Sequence, residues 1–547
     1  MIFLSTLLLS IFITIALIPR CIRAAVRMHA LDVPDVRKVH LVSVPRCGGV
    51  AMALGAIVPI IFWAQITPQL AAYLAGAAIL FTAGMYDDFK GLGYQVKFMA
   101  QVAAALVLVL YGGVVISDIG NLLPIDTGLP AWFAELLTVF VVVGVTNAIN
   151  LTDGLDGLAG GISLLIFLFI SFLAYGVGNM NVAIIALSIS GALFGFLRFN
   201  TYPAYLFMGD TGSMLLGYSA VVLSIMLTQG STPLSPLLPL ILLGFPILDT
   251  LVVMAERIAE RRSPFSPDKN HFHHRLLRLG LFQTEAVLTI YVIQTSLIVF
   301  AYVFRYHSEW FLLLSYSLFS VLVVGFFTMV DRTGWKLKRF DIIDRVIKGN
   351  LRKLRGMRLA IRISFRVMYF GLPALLVFLT ILPATIPTHL SLLSAYFAAV
   401  LAVVWLFRKE WLRMVFMPCL YIFIPLLIYS GELGTIEWFS PRMVKLHHLL
   451  YVGVAFFTIM MLTFNRRSDG EGFQITPMAF IVVVLSLAIA ALPREILTDG
   501  AVKNVIPAIL AMFFGYEVLV AEVNGKMRAL AGVTILSFLI VSIRGVL

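Results

Sequence analysis

Long apolar runs alternate with short polar segments along almost the whole chain. They fall near 2–19, 49–67, 70–86, 98–117, 131–149, 157–177, 180–197, 211–229, 235–255, 284–304 and 311–330. Each approaches the roughly 20 residues an α-helix needs to cross a hydrocarbon core. Ten-residue stretches of alternating polarity, the mark of membrane β-strands, are not evident. The pattern predicts an all-α polytopic membrane protein, with about eleven transmembrane helices over 1–330 and about seven more over 363–547.

The polar segments are unequal, and this sets an orientation. Counting alternate loops from an external N-terminus puts 20–48, 87–97, 150–156, 198–210, 256–283 and 331–362 on one side, with nearly all the Lys and Arg of that region. The opposite loops, such as Ser117–Pro130 and Gln229–Pro236, carry essentially none. The basic side is therefore expected in the cytoplasm, and the N-terminus outside. In the C-terminal part, Arg408-Lys409 and Arg466-Arg467 fit the same count. The first run is read as a retained span, not a signal peptide, because Arg20, Arg23 and Arg27 follow it, no basic residue precedes it and no small-residue cleavage site is evident.

Composition agrees with that reading. The 547 residues are 61% hydrophobic and 12% charged, so the formal charge of +12 belongs to topology and anionic headgroups and calls for no nucleic acid. Cys21, Cys47 and Cys419 have neither metal-type spacing nor a disulfide framework. Three regions are expected: a working unit over 1–330, a basic cytoplasmic linker over 331–362, and a membrane domain of unknown role over 363–547. No internal repeat stands out. In the last region Glu432, Glu437, Glu495 and Asp499 fall in expected outer loops, and His447-His448 is an isolated pair.

The scarce charges of the working unit gather on the cytoplasmic side. Asn147-Ala-Ile-Asn150-Leu-Thr-Asp153-Gly-Leu-Asp156-Gly-Leu lies between two spans. Asp32, then Arg37-Lys38-Val-His40 and Pro45-Arg46-Cys47-Gly48-Gly49, precede the second span; Asp87-Asp88 ends the third, followed by Lys90 and Lys97. Phe207-Met208-Gly209-Asp210-Thr211-Gly212-Ser213 opens the eighth, and Ser266-Pro-Asp268-Lys269-Asn270-His271-Phe272-His273-His274-Arg275 follows the ninth. Charges at the mouth of a span are costly and are usually kept for ions, protons or substrates.

Asp87, Asp88, Asp153, Asp156 and Asp210 at one boundary would repel strongly if unpaired, and a hard divalent cation relieves that repulsion. Mg²⁺ takes one or two carboxylates and fills its remaining positions with water and phosphate oxygens. Arg46, Lys90, Lys97 and Arg275, with His271, His273 and His274, suit an anionic partner rather than a second metal. Carboxylates for metal beside cations for phosphate fit phosphoryl or nucleotidyl chemistry. Each piece has a plainer reading: an Asp-Gly turn, a helix-ending acidic pair, a topology signal. Zinc at the histidines lacks further ligands nearby.

Together these motifs resemble the polyprenyl-phosphate N-acetylhexosamine-1-phosphate transferases, in that family's order and spacing over residues 1–330. The Ser263–His274 segment is similar to the WecA/TagO branch, whereas the related MraY branch frames its histidines differently. Cys47 stands where an apolar residue is common. The resemblance implies transfer of N-acetylhexosamine-1-phosphate, GlcNAc-1-phosphate first among the choices, from a UDP-sugar to undecaprenyl or another polyprenyl phosphate. UMP leaves, and a cell-envelope polysaccharide is initiated at a bacterial cytoplasmic (inner) membrane. It places Mg²⁺, replaceable by Mn²⁺, on Asp210, and makes Asp87 the group that accepts the lipid-phosphate proton or orients that phosphate, supported by Asp88. Asn150, Asp153 and Asp156 would line the nucleotide and diphosphate pocket, with a covalent aspartyl-phosphate at Asp153 or Asp156 as the alternative to direct displacement. Arg46, Lys97, Asn147, His271, His273, His274 and Arg275 would bind substrate. Homo-oligomerisation is compatible with all of this. The rival class is a transporter or flippase using intramembrane carboxylates, but such sites sit near the bilayer midplane and recur in symmetric halves.

Overall fold

The computed structural model describes residues 2–32, 43–122, 128–263, 270–335, 359–407, 412–433, 441–464, 500–523 and 527–545. Arg37, Lys38, His40, Asp268, Lys269, most of the basic linker, Arg408, Lys409, Glu437, Arg466, Arg467, Glu495 and Asp499 lie outside those residues. The chain forms two compact units, Ser10–Arg339 and Met1–Leu9 with Phe340–Leu547.

The first unit is built from α1 (Ile2–Arg27, from Ser10 onward), α2 (Gly48–Trp63), α3 (Pro68–Lys90), α4 (Tyr94–Leu110), α5 (Ala131–Thr152), α6 (Leu158–Gly176), α7 (Met180–Asn200) and α8 (Gly209–Thr228). Then follow α9 (Leu238–Leu242), α10 (Gly244–Ala259), the short α11 (Phe272–Arg278), α12 (Gln283–Val303) and α13 (Glu309–Thr333). Eight of these are long and apolar enough to cross a membrane, while α2 and α4 are shorter apolar helices. Local chemistry sets several ends. The Thr67 hydroxyl accepts from the Leu70 amide at 3.2 Å, with Pro68 opening α3, and Gly91 closes it at φ +72°.

The ninth apolar run differs from a single rod. It breaks at Leu243 into α9 and α10. The exposed carbonyls are met by side chains: Gln294 donates to Leu242 O at 2.8 Å and the Tyr316 hydroxyl to Gly244 O at 2.8 Å. Without water, a break inside a membrane persists only when neighbours satisfy the backbone in this way.

Helix α8 is the most enclosed span, 89% buried over its apolar window, and packs on α2, α3 and α5. Small residues make the close approach possible. Gly49 of α2 meets the backbone of Gly212, Gly84 of α3 meets Thr211, and Gly217 meets Thr146 of α5. Deeper in, the Tyr73 and Tyr218 rings stack at 5.7 Å and the Tyr73 hydroxyl pairs with Ser219 Oγ at 2.9 Å. A short antiparallel pair, Leu31–Asp32 with Val44–Pro45, leads into a bridge between Arg46 and Phe207. The chain before α2 is thereby tied to the chain before α8.

The second unit has described helices at Leu359–Ile381, Thr388–Phe407, Leu412–Leu433, Pro441–Phe464, Gly500–Glu522 and Met527–Arg544. Glu432, expected in a loop, falls in the last turn of Leu412–Leu433. Arg544 donates to the carbonyls of Thr380, Ile381 and Pro383 at 2.6–3.1 Å, closing the end of the first of these helices. Among its described residues, buried Tyr421 pairs with Glu517 and buried His447 with Tyr451.

Candidate active site

Asp87 and Asp88 are adjacent in the last turn of α3 but do different things. Both oxygens of Asp88 turn to the start of α8, accepting from the Asp210 amide at 2.9 Å, the Thr211 amide at 3.1 Å and the Thr211 hydroxyl at 2.6 Å. A helix N-terminus leaves its first amides unpaired and carries partial positive charge, so a carboxylate there both caps and is stabilised. Gly209, at φ +68°, leaves room for that carboxylate; a Cβ there would collide with it. Asp87 instead accepts from the Leu92 amide at 2.5 Å and from Lys97 Nζ at 2.8 Å. The same ammonium pairs with Asp210, so Lys97 of α4 bridges two carboxylates from α3 and α8.

The Asn147–Gly161 stretch spans the end of α5, a tight turn and the start of α6. Asn150 accepts from Ser213 Oγ at 2.7 Å, joining this stretch to α8 one turn beyond Asp210. Asp153 follows the last residue of α5 and is pushed up to about 7, first by burial and then by the charges of Asp210, Asp156 and Asp88, with Arg46 opposing. Asp156 accepts from the Ala204 amide at 2.8 Å, and Asn200 accepts from the Gly157 amide at 3.0 Å. Gly157, at φ +80°, makes the turn possible. Its carbonyl accepts from Tyr291 at 2.6 Å.

The histidine segment reaches this turn. His273 is buried, and its ring lies against Gly154, where a Cβ would stand 2.6 Å from Cε1. Burial, together with the charges of His274 and His271, holds its imidazole down to about 3, against a smaller pull from Asp249, so it is neutral at physiological pH. His271 and His273 stack at 5.8 Å, and His273 and His274 lie 4.2 Å apart.

The remaining sequence candidates have structural partners of their own. Asn147 exchanges amide hydrogen bonds with buried Gln101, at 2.6 and 3.3 Å, across α4 and α5. Arg46 pairs with Asp32. Arg275 pairs with Glu256 and Asp331, and its plane lies 5.9 Å from the Phe327 ring. Sequence reasoning passed over Asp249, 1% exposed in α10, which accepts from the Phe272 amide at 2.7 Å and pairs with His271 Nδ1 at 2.9 Å. The available signal was a lone carboxylate inside the ninth apolar run. It also passed over Gln101, Asn200 and Tyr291.

One oxygen from each of Asp87, Asp88 and Asp210 lies within 4.8 Å of the others. These are hard oxygen donors, and Asp88 retains lone pairs beyond those used on α8, so the set fits Mg²⁺ or Mn²⁺ far better than zinc. The Lys97 ammonium is seated between Asp87 and Asp210, so the pair already holds one positive charge.

Fold and site together define a polytopic membrane protein with an acidic, cation-seeking centre where several span ends meet. Residues 70–228 match the sequence profile of Glycosyl transferase family 4. The chain is 34% identical over 350 residues to a probable undecaprenyl-phosphate N-acetylglucosaminyl 1-phosphate transferase of Bacillus subtilis, covering 63% of this chain and 96% of that protein. It is 30% identical over 361 residues to the undecaprenyl-phosphate alpha-N-acetylglucosaminyl 1-phosphate transferase of Escherichia coli K12, covering 64% and 96%. A decaprenyl-phosphate N-acetylglucosaminephosphotransferase of Mycobacterium tuberculosis is 36% identical over 304 residues, 49% of this chain and 74% of that protein. The chain belongs to glycosyl transferase family 4.

Proposed function

We propose that this chain transfers N-acetylglucosamine 1-phosphate from a UDP-sugar to a polyprenyl phosphate. A phosphate oxygen of the lipid attacks the β-phosphorus, the bond to UMP breaks, and a polyprenyl-diphospho-sugar remains in the membrane. The observation that carries this reading is the Asp87–Lys97–Asp210 triad at the junction of three helices, in a chain whose match covers 96% of its Bacillus subtilis relative. Transport alone is not favoured, since Asp87, Asp88, Asp153, Asp156 and Asp210 gather at span ends.

Within that reading, Asp210 would hold Mg²⁺ or Mn²⁺, with Asp87 and Asp88 beside it, and the ion would supply positive charge against the diphosphate. Asp88 keeps Asp210 in place through the α8 amides. Lys97, released from one carboxylate, is the natural ligand of a substrate phosphate. Asp87 takes or orients the proton of the lipid phosphate; Asp153, Asp156 and Asn150 face the nucleotide diphosphate; and His271, His273 and His274 meet the sugar-nucleotide. Arg46, Asn147 and Arg275 support these groups through Asp32, Gln101 and Glu256. Direct displacement is preferred to an aspartyl-phosphate, because phosphoryl transfer chiefly needs positioning and charge stabilisation.

We place the site at the cytoplasmic face of a bacterial inner membrane, with the N-terminus outside. Residues 1–330 carry the chemistry, 331–362 link, and 363–547 serve product handling, partner docking or regulation. The test is a membrane assay with polyprenyl phosphate and a panel of labelled UDP-sugars. Label from UDP-N-acetylglucosamine should enter the lipid phase with release of UMP; if no UDP-N-acetylhexosamine labels it, the reading is wrong.

A further inference from the structure

The carboxylate of Asp249 divides its two oxygens between two donors. Oδ1 accepts from the backbone amide of Phe272 at 2.7 Å, and Oδ2 faces His271 Nδ1 at 2.9 Å. A carboxylate only accepts, so the contact requires a proton on Nδ1 and leaves Nε2 as the ring's other polar atom. Neither partner can drift. Asp249 is 1% exposed in α10, His271 is 6% exposed, and Phe272 is wedged between Phe245 and Phe327, at 5.8 and 4.9 Å. The influence of this carboxylate extends further. His271 lies parallel to His273, and His273 rests on Gly154, next to Asp153. A chain of direct contacts thus joins a carboxylate in the ninth span to the acidic turn after α5.

We propose that Asp249 is a positioning residue of the transfer reaction: it fixes the proton of His271 on Nδ1 and so determines what Nε2 offers the sugar-nucleotide. This rests on the assignment of the histidine segment to substrate made above. When the ring is neutral, Nε2 is an acceptor; when the ring is protonated, it is a donor. Asp249 permits both states in one fixed orientation.

An isosteric amide separates this role from simple support. In Asp249→Asn, the amide oxygen keeps the bond to the Phe272 amide, which cannot turn away. The NH₂ group then faces His271 Nδ1 and needs a lone pair there, which moves the ring proton to Nε2. The start of α11 stays capped while the histidine is held in the opposite tautomer. Carboxylates behind metal-binding histidines matter by about 10–100-fold, and an effect of that order is expected here.

The experiment uses the full-length chain, purified, with UDP-N-acetylglucosamine, polyprenyl phosphate and Mg²⁺. It compares wild type, Asp249→Asn, His271→Ala and the double variant for kcat, KM and melting temperature. The expected result is a kcat for Asp249→Asn lowered about 10–100-fold, with KM and melting temperature close to wild type. In the His271→Ala background, Asp249→Asn should cost nothing further, because the two act as one unit. A wild-type kcat for Asp249→Asn, beside a damaged His271→Ala, overturns the positioning role and leaves the histidine assignment standing. An equal loss in both backgrounds also overturns it, by showing that Asp249 acts on the fold. A fully active His271→Ala removes the histidine assignment, and this proposal with it.

Discussion

Asp88 and Asp210 are 122 positions apart in sequence, yet the carboxylate of one accepts the backbone amide of the other at 2.9 Å. Asp88 therefore works on the peptide chain around Asp210. Its neighbour Asp87 works on the side chains, through Lys97. Substitution should separate the two. Asp88→Ala leaves the Asp210 and Thr211 amides without their acceptor and should lower stability by about 1–3 kcal/mol, with activity falling too. Asp87→Asn should melt like wild type and yet fail to turn over. Thermal unfolding beside the transfer assay distinguishes them, and equal melting temperatures for the two variants would contradict the division of roles.

Metal dependence follows from the oxygen-only donor set of Asp87, Asp88 and Asp210. Chelator-treated membranes should lose transfer and regain it with Mg²⁺ or Mn²⁺. Asp210→Asn should stay inactive at any Mg²⁺ concentration, because an amide oxygen lacks the charge a hard cation requires. Full activity after chelation would place the reaction outside metal-assisted chemistry.

Gly49 tests how closely α2 must approach α8. A Cβ there would stand 2.7 Å from Met208 O and the Gly212 Cα, and both are backbone atoms that cannot swing aside. Gly49→Ala should cost about 1–3 kcal/mol by overpacking and displace Asp210 from Lys97. Loss of both stability and turnover is expected, read by unfolding and by the transfer assay; a variant with wild-type values in both would show that the contact yields freely.

Asp153 gives a pH-dependent signature. Its carboxyl is raised to about 7 in the folded chain, from an ordinary value near 4, so the folded state holds the proton more tightly. The stability this confers is present below pH ~4 and is lost as pH rises through 7. Without metal, Asp153→Asn should therefore melt above wild type at pH 8 and level with it at pH 4. A constant difference across that range would mean that Asp153 ionises freely in the folded chain.

Sidedness can be read by labelling. In a chain lacking Cys21, Ser231→Cys should react with an impermeant maleimide on intact cells, and Ser263→Cys only after permeabilisation. The reverse result would invert the orientation and put the catalytic face outside.

Sequence carried the span pattern and the acidic motifs because both are written in residue type: apolar length, and charge where charge is costly. Residue type alone does not separate Asp87 from Asp88, a division that only the family resemblance offers, since the difference is which group each carboxylate meets in space. The motif places Asn147 among the substrate-binding candidates but gives no sign of its amide pairing with Gln101 from another helix. Asp249 was hidden for the opposite reason, lying inside an apolar run with no motif around it. The break at Leu243 escaped as well, because the side chains that support it, Gln294 and Tyr316, come from helices about 50 and 70 residues later.

The ammonium held between Asp87 and Asp210 bears on how such a protein is made. A newly inserted chain must bring these acids together at a membrane boundary before any ion or nucleotide arrives. Lys97 supplies a resident counter-charge, so the helices can close without a captured ion and remain closed between turnovers. On the function proposed above, loading the centre would be an exchange, in which Lys97 gives up a carboxylate to a cation and would turn to a substrate phosphate. An ion without phosphate would have to evict the lysine with nothing to receive it. Closing of these helices would then need no captured ion, and loading would favour an ion and a sugar-nucleotide arriving together.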